Sequence, residues 1–191
     1  MPKPRKLVYC RFLPYLEVRT KQPPLGVLWI DVSSSGDSPF DQFSPFFPHG
    51  GIPIPGSENQ KSDSVEGIWQ GLKVIRGRTA PRYFRGTGQK RGGKPRGHQF
   101  GNNDRLLGLV EARRKIYIPA YEWMLDHCID HAIYQEILNN CFRGVEQCFY
   151  DREDNGSIGK DAPLAHAKVL VDYLNRMIDK KIDSASKSTN N

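Results

Sequence analysis

The hydrophobic positions of the chain predict a few short strands near the N-terminus. Two apolar runs rich in β-branched and aromatic residues, 7–13 and 25–32, predict strands separated by a turn at Lys21-Gln-Pro-Pro. Residues 33–62 are rich in Pro, Gly and Ser and predict a long loop. Four phenylalanines recur in that loop, and we expect them to pack on the body of the protein.

Further along the chain, apolar residues recur with the period of an α-helix. This pattern predicts helices over 64–75, near 105–115, from Pro119 to about Asn139 and from Pro163 to Lys180, with a short strand at 145–150. Proline at a first helical position supports the starts at Pro119 and Pro163. The residues after Lys180 are rich in Ser, Lys and Asn and predict a disordered tail.

These elements predict an α+β fold with a mainly helical body, a short N-terminal β region and long Pro/Gly-rich loops. We divide the chain into an N-terminal β extension (1–35), a single domain (36–180) and the tail (181–191). The sequence has neither an apolar run of membrane-spanning length nor the hydrophobic core of a signal peptide. We therefore expect a cytoplasmic protein with no membrane partner; the oligomeric state is not predicted.

The helix predicted at 64–75 carries a polar strip beside an apolar one. Glu66, Trp69, Gln70 and Lys73 are spaced i, i+3, i+4 and i+7 and share one face. The apolar strip consists of Val65, Ile68, Leu72 and Ile75. A carboxylate, an indole, an amide and an ammonium at the edge of a core indicate a polar ligand pocket. The alternative is that Asp63 and Glu66 form a capping box and only satisfy first-turn N–H groups.

Two glycines favour the pocket over a purely structural helix. Gly67 and Gly71 each cost about 1 kcal/mol relative to alanine inside a helix. Since they lie four residues apart, they leave one bare ridge that another backbone or a ligand can approach.

The positive charge of the chain is concentrated in one loop, residues 76–98. Between Arg76 and Arg96 there are eight Lys or Arg and no acid, so this segment carries a charge of +8. Since the net charge of the chain is +7, the remaining residues sum to −1. A basic, Gly-rich loop suits phosphate, on a nucleotide or on a nucleic acid. It matches neither the dinucleotide fingerprint nor the P-loop spacing. The alternative is a solvated, mobile surface loop.

An acidic turn, residues 151–156, is a second candidate for chemistry. Asp151 or Asp154 would supply a carboxylate facing Glu66 across a cleft, although Asp-Asn-Gly is also ordinary turn chemistry. His166 follows in the last helix and would bond either a buried polar group or a ligand.

The sequence indicates no metal site and no disulfide. His127 and His131 lie four apart on one face, but the glutamate of a zinc motif and a third ligand are missing. The four cysteines contain no C-x-x-C pair, so we expect reduced, mostly buried thiols.

Several of these segments resemble the NADAR domain, the YbiA-like family of N-glycosidases. The resembling segments are an aromatic loop (43–48), the helix start Ser64-Val65-Glu66 with Gln70 and Lys73, the proline-led helix with a tryptophan (119–123) and the turn 151–155. Their order agrees over residues 40–178. Gly67 stands where the family has a histidine.

The resemblance implies a hydrolase that cleaves an N-glycosidic bond in an ADP-ribose-type or related phosphorylated ribosyl compound, without a metal or cofactor. Glu66 would stabilise charge on the ribose, with Asp151 or Asp154 as an assisting acid or base. The substrate-binding residues implied are Phe46, Trp69, Gln70, Lys73, Arg82, Arg85, Lys90, Arg91 and His166.

Two alternatives use the same residues. One is a non-catalytic nucleotide- or nucleic-acid-binding protein that acts through the basic loop. The other is a protein that sequesters a nucleotide signal without cleaving it.

Overall fold

The computed structural model describes residues 6–188 and shows a mixed α/β protein with small sheets. The strands among these residues are β1 (Arg11–Phe12), β2 (Val27–Asp31), β3 (Ile52–Pro53), β4 (Lys61–Ser62), β5 (Lys73–Val74), β6 (Gly97–His98) and β7 (Glu146–Tyr150). The α-helices are α1 (Tyr15–Thr20), α2 (Val65–Leu72), α3 (Leu109–Ala112), α4 (Ile118–His127), α5 (His131–Phe142) and α6 (His166–Ser188). Short 3₁₀ turns occur at Phe40–Phe43 and Pro81–Phe84, and a π-helical turn at Arg113–Tyr117 joins α3 to α4.

The chain folds into two compact units. Of the described residues, unit 1 contains 6–41, 130–156 and 163–188, and unit 2 contains 42–129 and 157–162. Within the described part of the chain, no helix combines the length and the apolar character needed to cross a membrane.

Unit 1 is built on a three-stranded parallel sheet. β7 is the central strand and pairs with β1 on one side and β2 on the other, with Ile30 opposite Phe149. α5 and α6 pack against this sheet. Because β7 is covered on both faces, Phe149 is fully buried, as are Leu170 and Leu174 of α6.

Unit 2 is built around α2, α4 and the π-helical turn. Ile68 of α2, Ile116 of the π-helical turn and Met124 of α4 are fully buried. Two antiparallel strand pairs flank α2 in the chain. β3 pairs with β4 before the helix, and β5, which follows the helix directly, pairs with β6. The β5–β6 pair closes the basic loop at its base.

The N-terminal strands are shorter than their apolar runs predict. β1 and β2 occupy only part of 7–13 and 25–32, and α1 lies between them as a helix that the strand prediction did not include. Both strands pair with β7, which the sequence did predict at 145–150. The N-terminal region therefore supplies two of the three strands of the unit 1 sheet.

The prediction of one long helix from Pro119 to about Asn139 is wrong. The segment forms α4 and α5, separated at Cys128–Asp130. The side chain of Asp130 accepts a hydrogen bond from Ala132 N at 2.8 Å and starts α5 as its N-cap. The apolar period continues across the break, so periodicity alone does not show it. The predicted helix near 105–115 is α3 and the π-helical turn, which continue directly into α4.

The ends of two further helices differ from the prediction. α6 begins at His166 rather than Pro163, and it continues to Ser188, so residues 181–188 are helical rather than irregular. Once a helix is nucleated, each added residue gains a hydrogen bond, which favours this extension. The remaining residues of the predicted tail, 189–191, lie outside the described residues. α2 ends at Leu72, before the predicted end at Ile75.

Candidate functional site

The start of α2 is capped by Ser64, and the capping box predicted from Asp63 and Glu66 does not form. The hydroxyl of Ser64 accepts a hydrogen bond from Gly67 N at 3.1 Å. Asp63 lies outside the helix, where its carboxylate accepts from Gly86 N at 2.8 Å. The Ser64 N–H points to the Ser62 hydroxyl at 3.4 Å. Capping therefore does not account for the Glu66 side chain.

Glu66 is a buried carboxylate held from its own helix. The residue is 6% exposed, and its Oε1 accepts a hydrogen bond from Gln70 Nε2 at 2.6 Å. The backbone N–H of Glu66 donates to Pro45 O at 2.8 Å, which ties the helix start to the aromatic loop. Gln70 is itself buried, so the amide is a rigid support for the carboxylate.

Lys73 and Arg91 hold the other end of the Gln70 amide. Gln70 Oε1 accepts from Lys73 Nζ at 3.0 Å and from Arg91 N at 3.1 Å. The Arg91 guanidinium also donates to Gln70 O at 2.8 Å and Lys73 O at 2.6 Å. Burial lowers the pKa of Lys73, as do the neighbouring cations, while Glu66 opposes the shift. The cluster thus sets a carboxylate beside partly buried cations.

Trp69 is half-buried next to two further aromatic rings. Its ring centroid lies 3.9 Å from that of His98, with 30° between the planes, and Tyr117 meets it edge-on at 5.6 Å. Lys73 Nζ lies 5.8 Å from the Trp69 ring centroid. His98 is 2% exposed, and burial, assisted by the charge on Lys73, lowers its pKa to about 3. The imidazole beside Trp69 is therefore neutral at pH 7.

The bare ridge on α2 is filled by the chain itself. A Cβ at Gly71 would lie 2.1 Å from a ring carbon of Phe84, and one at Gly67 would lie 2.5 Å from Tyr83 O. Both contacts come from the 3₁₀ turn at Pro81–Phe84, at the start of the basic loop. The predicted close approach is made by this backbone and its Phe84 ring, which leave no room for a side chain at Gly67.

The aromatic loop, residues 43–48, is held within unit 2 by buried contacts. Phe43 is fully buried, and its carbonyl accepts from the Tyr121 hydroxyl at 2.7 Å. Phe46, the predicted substrate-binding residue of this loop, is half-buried and directly follows Pro45, whose carbonyl meets Glu66 N.

Seven of the eight predicted cations of the basic loop point outward, and only Arg91 is half-buried. Arg82 and Arg85 are exposed, with Arg82 lying 5.4 Å from the Tyr83 ring centroid and Arg85 Nη1 lying 3.7 Å from Asp63 Oδ1. Lys90 is exposed as well. The loop therefore presents a solvent-facing cationic surface, whose inward anchor is Arg91.

In unit 1, Asp151 forms a buried network with His166. Asp151 is 1% exposed; its Oδ1 accepts from Glu153 N at 2.7 Å, and its Oδ2 accepts from Ala167 N at 2.9 Å. His166 Nδ1 lies 2.9 Å from Asp151 Oδ2, and its Nε2 lies 2.8 Å from Val32 O. Both ring nitrogens of His166 therefore face an oxygen atom.

The Asp151 carboxylate is stabilised in its ionised form. Burial acts to raise its pKa, but His166 and the two backbone N–H groups outweigh burial and hold the pKa below its usual value. Asp154 is exposed and accepts a hydrogen bond from Leu16 N. Asp151, Asp154 and His166 belong to unit 1, and their cooperation with Glu66 stays a prediction.

The structure thus brings together, within unit 2, Glu66, Trp69, Gln70, Lys73 and Arg91. Sequence reasoning missed His98, which β6 places beside Trp69. It also missed Arg113, which is 3% exposed and donates to the carbonyls of Ile158, Lys160 and Ala162. The only sequence signal for His98 is its position at the end of the basic loop.

Among residues 6–188, no group of three or more His, Cys, Asp or Glu side chains is arranged to hold a metal ion. His127 bonds Trp123 O at 2.8 Å and stacks on that ring, and His131 Nε2 lies 2.8 Å from Gln135 Nε2. Cys10, Cys128, Cys141 and Cys148 are free thiols.

Neither the curated proteins nor the solved structures contain a match to this chain. The profile of the Family of unknown function (DUF6939) matches residues 16–170, a span that includes α2, the basic loop and the Asp151 turn. The chain therefore belongs to the DUF6939 family.

Proposed function

We propose that this protein is a NADAR-like hydrolase that cleaves the N-glycosidic bond of an ADP-ribose-type or related phosphorylated ribosyl compound, with Glu66 as its catalytic carboxylate. The proposal combines the resemblance of the α2 segment to that family with the arrangement of side chains around Glu66.

The observation that carries the proposal is the placement of the Glu66 carboxylate. It is 6% exposed, it does not cap α2, and it is aligned by Gln70 at 2.6 Å. Burying a carboxylate is costly unless its contacts compensate for lost hydration. A helix that needed only a core residue at this position would carry an apolar side chain.

The chemistry requires a fixed negative charge beside the ribose. When the bond from C1′ to nitrogen breaks, the electron pair leaves with the nitrogen and positive charge develops on the sugar. A carboxylate in a water-poor setting stabilises that charge without reorganising. Water then adds its oxygen to C1′ and loses a proton, which goes to the leaving nitrogen or, where that nitrogen leaves as a neutral pyridine as in NAD, to solvent. The products are a ribosyl hydroxyl and the free nitrogen compound.

The cations around Glu66 suit the phosphates of such a substrate. Lys73 and Arg91 lie within the cluster, and Arg82, Arg85 and Lys90 extend the positive charge to the exposed surface of the loop. Phosphate contacts of this kind contribute binding energy far from the reacting bond, and that energy orients the sugar. We assign Asp151 a structural role instead of the assisting acid or base role that the resemblance implies, because both its oxygens accept backbone hydrogen bonds in unit 1.

The test is turnover by the Glu66→Gln variant. Wild-type protein and the variant are incubated with NAD, ADP-ribose and a ribosylated nucleobase, and the released nitrogen compound is quantified by chromatography. We expect wild-type protein to hydrolyse at least one of these compounds. Because glutamine keeps the shape but not the charge, the variant should lose about 10²–10⁴-fold in kcat.

The matched control is Glu122→Gln, at a half-buried glutamate of α4 in the same unit. Its turnover should match the wild type. Full activity in Glu66→Gln would eliminate Glu66 as the catalytic group, and lack of hydrolysis by the wild type across the panel would reject the proposed reaction.

The second candidate function is nucleotide or nucleic-acid binding without catalysis, and the exposed cations of the basic loop favour it. Such binding weakens steeply with salt, because each neutralised phosphate releases a counterion. Replacing the exposed Arg82, Arg85, Lys90, Lys94 and Arg96 by Ser should then abolish affinity for an oligonucleotide. Salt-independent binding would argue against this candidate.

A further inference from the structure

His98 is a buried imidazole with both nitrogens unpaired. It is 2% exposed, and neither Nδ1 nor Nε2 has a hydrogen-bond partner among the described residues. Its backbone is fully used, since His98 N donates to Leu107 O at 3.0 Å and His98 O accepts from Leu107 N at 2.9 Å. The strand is therefore fixed while the side chain's two polar atoms are unused.

The strand register places His98 in the Glu66 cluster. In the antiparallel pair of β5 and β6, His98 lies directly opposite Lys73. Opposite residues of such a pair project on the same face, with their side chains adjacent. One face of the imidazole is covered by Trp69, at 3.9 Å between ring centroids. The ring nitrogens lie on the edge of the imidazole and are shielded from solvent, so a ligand reaches them only when the surrounding side chains move aside.

Stability alone does not explain a histidine at this position. A buried polar group without a partner destabilises a fold, whereas an apolar side chain of similar shape is neutral or stabilising. Phenylalanine would stack on Trp69 equally well. The imidazole is therefore retained for a contact that the protein itself does not make.

We propose that His98 is a ligand-binding residue of the Glu66 site, and that its imidazole hydrogen-bonds a ribose hydroxyl of the phosphorylated ribosyl ligand. This inference rests on the proposed function and specifies which part of the substrate the site recognises. A neutral imidazole carries one donor and one acceptor, and a hydroxyl carries both as well, so the two groups are complementary. Burial and the charge on Lys73 keep the ring neutral at pH 7.

The test measures binding separately from catalysis. ADP-ribose and its 2′-deoxy counterpart are titrated calorimetrically into the Glu66→Gln variant, with and without the second change His98→Phe. With His98 present, ADP-ribose should bind at least 10-fold more tightly than the deoxy compound. With His98→Phe, affinity for ADP-ribose should fall about 10-fold, and the preference for the hydroxyl should disappear.

The matched control is His127→Phe, because His127 is also stacked on a tryptophan in unit 2 but is exposed and bonded to Trp123 O. It should leave binding and sugar preference unchanged. Melting temperatures accompany each titration, and His98→Phe should not lower the wild-type value. If His98→Phe unfolds the protein, the preference of the His98-containing protein for ADP-ribose decides the question alone.

Two outcomes overturn the inference in distinguishable ways. Equal affinity of the His98-containing protein for both sugars, or unchanged binding by His98→Phe, removes the role of His98 and leaves the proposed function intact. If neither the wild type nor Glu66→Gln binds either compound, the proposed function fails, and the role of His98 fails with it.

Discussion

Each of the two units contains a buried carboxylate, and the two carboxylates have different surroundings. Asp151 of unit 1 has hydrogen bonds on both oxygens, from Glu153 N and Ala167 N, with His166 beside it. In unit 2, Glu66 Oε1 accepts a hydrogen bond from the Gln70 amide, and the partly buried cations Lys73 and Arg91 belong to the same cluster. The first arrangement joins β7 to the start of α6. The second fixes a charge in one place.

Burial of a carboxylate therefore does not by itself indicate catalysis. The Asp151 carboxylate accepts a hydrogen bond from Ala167 N in the first turn of α6 and so acts as an N-terminal cap from outside the helix. Its hydrogen bonds explain why a carboxylate is buried at this position. Around Glu66 the support reaches outward through Gln70 to Lys73 and Arg91, and His98 nearby has no partner among the described residues. Unused polar capacity distinguishes the candidate site from the structural network.

The largest expected effect on stability is that of Asp151→Ala. The change leaves His166 and Ala167 N buried without their acceptor, and breaking a buried pair costs about 3–5 kcal/mol. Equilibrium denaturation in urea measures the loss. Asp154→Ala, at an exposed carboxylate in the same turn, should cost less than about 1 kcal/mol. Equal effects of the two variants would contradict the structural role of Asp151.

The next effect is a pH dependence that originates at His98. The unfolded chain binds a proton near pH 6.5, whereas the folded protein does so only near pH 3. Stability should therefore fall as the pH drops from 6.5 to 3, by on the order of 3–5 kcal/mol in total from this group. His98→Phe removes this contribution, so denaturation curves at pH 7 and pH 4 should differ less in the variant. Identical pH dependence in both proteins would show that the ring is not held neutral.

A smaller effect is expected from filling the glycine ridge of α2. Gly71→Ala puts a methyl group 2.1 Å from the Phe84 ring, and overpacking of this kind costs about 1–3 kcal/mol. The control Gly92→Ala meets no atom within 4 Å and should be close to neutral. Thermal unfolding compares the two. A Gly71→Ala variant as stable as the control would show that the basic loop does not pack on α2 as described.

The smallest effect on stability should come from the exposed cations of the basic loop. Arg82→Ser and Lys94→Ser change solvent-facing residues, and such substitutions alter stability by about 0.5 kcal/mol or less. Their affinity for a phosphorylated ligand should nevertheless fall, and the salt dependence of binding should become shallower. Unchanged affinity at low salt would restrict the ligand to the interior cluster around Glu66.

The spacing of apolar residues along the chain predicts elements that bury one regular face. It predicts strand β7 and helix α2, and residues of the polar strip of α2 contact one another in the structure. The break between α4 and α5 was missed because the apolar period continues through Ile129, although Asp130 caps the second helix. Pairing of β1 and β2 with β7 depends on contacts between distant parts of the chain, which no local pattern contains.

The candidate site was predictable only where it lies on one helix. Glu66, Trp69 and Gln70 follow helical spacing, and Lys73 still reaches Gln70 although it begins strand β5. His98 enters through the register of β5 with β6, across the whole basic loop. Its importance depends on nitrogens without partners, which only a structure reveals.

The most direct test of the account is turnover per folded molecule in two isosteric variants, Glu66→Gln and Asp151→Asn, on the substrate that the wild type hydrolyses. Folded fractions are fixed by working well below the melting temperature of each variant. We predict that Glu66→Gln retains stability within about 1 kcal/mol and loses about 10²–10⁴-fold in kcat. Asp151→Asn should be less stable, yet turn over substrate within about threefold of the wild type per folded molecule. Full turnover by Glu66→Gln, or an equally large loss per folded molecule in Asp151→Asn, would contradict the contrast between the two carboxylates.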